Sequence, residues 1–116
     1  MYHYLGEPPA SEERHRSLYV PAQDFAAQLL YLKHRGVRSV SPEKYDAGLS
    51  LGALDKTIWI TFDDGRLDNF KVGVPALLKA NHVATFFVIA ERSLAGDAGF
   101  MDTAMMRDAL SAGMSI

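Results

Sequence analysis

Two adjacent carboxylates, Asp63 and Asp64, stand at the end of an apolar run and are followed by Gly65, in the stretch ITFDDGRLDNF (residues 60–70). Like charges side by side repel, and each ionised carboxylate resists losing water. A divalent cation would relieve both penalties. One acid can then bind the metal while its neighbour takes a proton from metal-bound water. The plainer reading is a strand-to-helix loop whose acids cap backbone N–H groups, and on local pattern both readings stand. The sequence has four histidines. His15 lies in a polar stretch, and His34 and His82 fall at helix ends, where imidazole meets C-terminal carbonyls, so a structural role is expected of the latter two.

The elements around the pair follow a parallel α/β rhythm. Tyr2 to Leu5 reads as a short strand, GEPP as a turn and SEERHRS as a surface loop. Pro21 opens a helix to about Arg35, with Phe25, Leu29 and Leu32 on one stripe and Gly36 as its stop. Val37 to Val40 is extended, Ser41-Pro42 starts a short helix over 42–47, and AGLSLGALDK is a loop. TIWITF and VATFFVIA read as continuous strands covered on both faces. Between them, Asp68 or Asn69 caps a helix to about Ala80, whose first turns Pro75 disturbs and whose end Asn81 closes in the left-handed conformation. LAGDAG is a loop, Asp102 caps a helix from Thr103 to Ala112 closed by Gly113, and MSI begins another strand. Functional groups in such folds collect at the C-terminal ends of strands, where Asp63 and Asp64 lie.

Composition narrows the classes. The chain has 116 residues, 48% of them apolar, with a formal charge of -2, which describes one globular unit and suggests neither nucleic acid nor an anionic membrane as partner. It has no cysteine, so disulfides, thiolate metal sites and a cysteine nucleophile are excluded. No apolar run approaches the ~20 residues of a membrane span. MYHYLGEPP lacks the basic start and apolar core of a signal peptide.

TFDDGRLDN resembles the first signature motif of the polysaccharide deacetylases, the NodB-homology or carbohydrate esterase family 4 group. MYHYLGEPP resembles their Tyr-His opening strand, YVPAQDFAAQLLYLKHRGVRSVSPEKY their first helix and following loop, ATFFVIA the strand after the motif, and ALSAGMSI the helix before their second motif. The resemblance implies an α/β fold, a partial (β/α) barrel truncated after the third helix–strand unit, with residues 1–116 as the N-terminal portion of one catalytic domain. It implies Asp63 as general base, Asp64 as metal ligand and His3 as the acid that protonates the leaving amine. An ordinary strand-end histidine bonded to backbone is the alternative for His3. Thr61 and Gly65 match positions that shape the loop, and Asp68 and Asn69 match as helix caps. Arg66 departs from the aromatic residue often seen at its position.

The implied reaction is metal-dependent hydrolysis of N-acetyl groups on an amino-sugar polysaccharide, with zinc as the cation and cobalt or nickel as alternatives. The family's second motif, a His-x-x-x-His pair, would follow Ile116, so the chain alone is expected to bind metal weakly and to show little activity. An open barrel edge would invite self-association. The family is often secreted, periplasmic or cell-surface. Two other classes compete. A receiver-type phosphoacceptor domain needs acids near the first strand and a lysine after a later one, where this chain has His3 and no such lysine. A degenerate deacetylase-like module that binds carbohydrate without catalysis remains the alternative.

Overall fold

A computed structural model describes residues 1–116, apart from the side chains of Glu12 and Glu13. Its strands are short and all their pairings are parallel. β1 (Tyr4–Leu5) pairs with β2 (Tyr19–Val20), β3 (Arg38–Ser39) with β4 (Thr57–Ile58), and β5 (Thr61–Phe62) with β6 (Thr85–Phe86). Single parallel bridges extend the last pair, Tyr2 to Phe62 on one side and Thr85 to Ser115 on the other. The expected strand start at Met114 to Ile116 is therefore present as one bridge.

Among the described residues five α-helices are interspersed with the strands: α1 (Ala22–His34), α2 (Pro42–Leu51), α3 (Val74–Ala80), α4 (Ala90–Ala95) and α5 (Thr103–Ser111). This is the parallel α/β architecture that the sequence implies. The core lies between the strands and α1, α3 and α5. Phe25 and Leu29 of α1 are fully buried, and Leu32 packs against them at the edge of the core. Phe62 is the centre of this layer. It stacks on Phe86 at 4.9 Å and meets the edge of Phe25 at 5.6 Å. Asp102 accepts a hydrogen bond from the Met105 N–H and caps α5 as expected, and Asn81 ends α3 at φ 62°.

Several expectations need correction. The stretch SEERHRS, read as a loop, lies within a 3-10 helix over Ala10–Leu18. α2 runs to Leu51, with Gly52 in the left-handed stop, so the predicted loop at 47–56 is helical in its first half. The Ser41 side chain does not bond the first free N–H groups of that helix. TIWITF is not one uniform strand, because its first residues pair with β3 and its last with β6 and Tyr2. Nor is VATFFVIA covered on both faces, since Phe87 and Ile89 are 50% and 40% exposed. VATFFVIA ends early, and its final alanine starts α4. Ahead of Pro75 the helix widens into a π turn (Asn69–Gly73). A proline ring clashes with the carbonyl four residues back, and the wider turn relieves that clash.

Candidate functional site

The pair of acids is placed by Phe62. With that ring locked in the core, the chain leaves β5, and the Asp63 N–H closes the ladder onto the Tyr2 carbonyl at 2.9 Å. Asp64 then adopts φ 70° and Gly65 φ 64°. Left-handed backbone is rare for residues other than glycine, though asparagine and aspartate tolerate it best. Two such residues in succession turn the chain sharply, so the carboxylates leave the backbone in different directions instead of alternating across a strand. Gly65 has no freedom to be anything else. A Cβ there would lie 2.7 Å from the Val88 side chain, on a backbone conformation that already disfavours one.

His3 joins this loop. Its Nδ1 lies 3.7 Å from Asp63 Oδ2 and 3.2 Å from the Tyr2 carbonyl oxygen, with the two side chains 21% and 30% exposed. A protonated Nδ1 can donate to the carbonyl while facing the carboxylate. Asp63, Asp64 and His3 thus gather at one strand end, and both readings of His3 find a partner there. Burial raises the Tyr2 hydroxyl above its usual range, and that hydroxyl donates to Gln28 Oε1 at 2.6 Å.

Asp68 and Asn69 do more than cap a helix. Asp68 Oδ1 accepts from the Asn69 N–H at 3.0 Å, as a cap would, but Oδ2 accepts from the Leu5 N–H at 2.6 Å. Asn69 is fully buried. Its Nδ2 donates to the His3 carbonyl at 2.9 Å and its Oδ1 accepts from the Arg66 N–H at 3.1 Å. Together they strap the strand that carries His3 to the loop that carries Asp63. Burial drives the Asp68 carboxyl above its usual range, against the opposing pull of the Leu5 and Asn69 N–H groups and of Arg66. Sequence reasoning missed this strap. Its only signal was two polar residues where one cap would do.

The other histidines stay apart from the acids. His34 is exposed at the end of α1 and His15 is half-buried on the 3-10 helix. His82 is 3% exposed, and its partners are not its own helix end but Ser39 Oγ at 3.1 Å and the Leu29 carbonyl at 3.2 Å. Burial, more than any charge, lowers its pKa below 6.5. Among the described residues no three His, Asp or Glu side chains gather closely enough to hold a metal ion. A zinc site takes about three protein ligands, so these residues do not by themselves fit one.

Comparison with known proteins bears on this loop directly. Residues 52–116, which include both acids, match the family model described as Polysaccharide deacetylase. YxkH of Bacillus subtilis (strain 168), whose name assigns it to the same family, is 34% identical over 77 residues, covering 65% of this chain and 28% of that protein. The deacetylase PplD of Streptococcus pyogenes, solved in complex with acetate, superposes with a TM-score of 0.90 at 32% identity, over 99% of this chain and 52% of its own. A Bacillus anthracis structure assigned to the polysaccharide deacetylases gives a TM-score of 0.84 at 26% identity, over 99% of this chain and 36% of its own. The chain thus spans about half the length of PplD and a smaller share of the other two. With the family model matched over more than half of the chain and the backbone superposing over 99% of it, the chain belongs to the polysaccharide deacetylase family.

Proposed function

We propose that residues 1–116 belong to a catalytic domain that hydrolyses N-acetyl groups on an amino-sugar polysaccharide, releasing acetate and a free amine. The observation that carries this reading is the meeting of Asp63 Oδ2 with His3 Nδ1 at 3.7 Å on a loop where Asp64 is held at φ 70°. Strained backbone of this kind collects at functional sites. That PplD was solved with acetate, the acyl product of such a reaction, supports it.

In this reading the Asp63 carboxylate accepts the proton of the attacking water. His3 holds that carboxylate in place and, protonated, supplies the proton that the departing amine needs. Asp64 is the ligand offered to a divalent cation, zinc or in its place cobalt or nickel. Residues 1–116 supply only this corner of such a site, so the chemistry that this chain itself performs rests on Asp63 and His3.

The test is deacetylation of N-acetylglucosamine oligomers by the protein translated from its whole reading frame. Asp63→Asn is expected to lower kcat about 10²–10⁴-fold, the usual loss when a general base is removed. An Asp63→Asn protein that keeps the parent kcat would overturn the assignment. A protein that binds the oligomers but releases no acetate, with binding unmoved by Asp64→Ala, would point instead to a carbohydrate-binding module.

A further inference from the structure

Arg66, two residues beyond Asp64, lines an open cleft of about 380 Å³ with Tyr4, Tyr19, Lys71 and Gly99. Its guanidinium carbon lies 4.9 Å from the centre of the Tyr4 ring and 4.5 Å from that of Phe100. Tyr4 also stacks on Tyr19, with ring centres 4.3 Å apart and planes within 10°. The aromatic surface at this spot is therefore already covered by another ring or by the guanidinium, which leaves little of it for a sugar to stack on.

The hydrogen-bonding capacity left open in the cleft is of the opposite kind. Arg66 Nε is buried with no acceptor, and among the described residues no carboxylate lies within ion-pair distance of Arg66. Lys71 adds a second, exposed cation. Of the two acids that line the cleft, Asp68 already accepts bonds from Leu5 and Asn69 through both oxygens, and Glu7 is exposed. A ligand that meets the guanidinium from the cleft must bring acceptors, and a planar guanidinium matches a carboxylate or phosphate best.

We propose that this cleft binds an anionic group carried by a sugar, a carboxylate or a phosphate, with Arg66 as the anchor and Lys71 as the second cation. The inference rests on the deacetylase reading only for the polymer to which that sugar belongs.

Glucuronic acid, glucose 6-phosphate and neutral N-acetylglucosamine, titrated into the whole protein while the Arg66 Nε–H resonance is followed, test the proposal. At least one charged sugar is expected to bind about tenfold more tightly than the neutral one, the scale of one charge-assisted contact. Arg66→Gln should abolish that preference and Lys71→Met, on an exposed side chain that the fold does not need, should weaken it. Which charged sugar binds more tightly identifies the group. Equal binding of all three, or a preference that survives both substitutions, overturns the proposal. Asp63→Asn separates the two readings, since it should stop acetate release and leave the preference intact. A protein that shows the preference yet deacetylates nothing would sink the deacetylase reading alone.

Discussion

The two faces of residues 59–63 lead different lives. Ile60 and Phe62 point into the helical layer and are buried, Phe62 completely. Trp59, Thr61 and Asp63 occupy the alternate positions and stay half-buried, with Trp59 Nε1 donating to Thr85 Oγ1 at 2.9 Å. One face of the strand carries the stability and the other carries the polar groups that can react. Period-two alternation makes this division possible, and the left-handed turn at Asp64 and Gly65 ends it.

Substitutions can break that contrast in order of their effect on stability. Phe62→Ala removes the ring at the centre of the core and should lose about 3–5 kcal/mol, the range for a buried phenylalanine, read as a shift in the denaturation midpoint. Asn69→Ala leaves the His3 carbonyl and the Arg66 N–H without their buried partner. It should cost about 1–3 kcal/mol and also move the pH profile of kcat, because the strand that carries His3 loosens against Asp63. A Phe62-sized loss with an unmoved profile would make the strap purely structural.

His82 should give a smaller, pH-dependent effect. Its pKa in the fold lies below 6.5 because of burial, with the Lys33 charge adding to that and the Leu29 carbonyl opposing it. The unfolded chain then binds the extra proton first. Stability is complete above the unfolded value and falls as pH drops from about 6.5 through the lowered pKa. Urea midpoints taken between pH 7 and pH 5 should decline, and His82→Gln should flatten that slope. Smallest of all, Asp63→Asn should change stability by only about 0.5 kcal/mol or less, as surface changes do, while removing activity. If it destabilised the fold as Phe62→Ala does, the two faces would not be distinct.

Much of the architecture was legible because its signals are local. The Phe25, Leu29, Leu32 stripe, the Asp102 cap and the left-handed Asn81 each depend on residues within a turn or two. The division of TIWITF between two partners was not legible, since nothing within six residues says which strand lies beside which half. The 3-10 helix at Ala10–Leu18 has no apolar period to betray it. At the site, the proximity of Asp63 and Asp64 is written in the sequence itself. The approach of His3 is not, because it depends on a pairing between residues 60 positions apart. The strap of Asp68 and Asn69 was hidden for the same reason.

That strap also sets an order of events during synthesis. Leu5 waits for Asp68 and His3 for Asn69, separations of 63 and 66 residues. At about 5–20 residues per second, translation needs roughly 3–13 s to deliver those partners. β1 thus leaves the ribosome seconds before the contacts that fix it, and the Tyr-His segment at its start is the part of the site that a chaperone would meet bare.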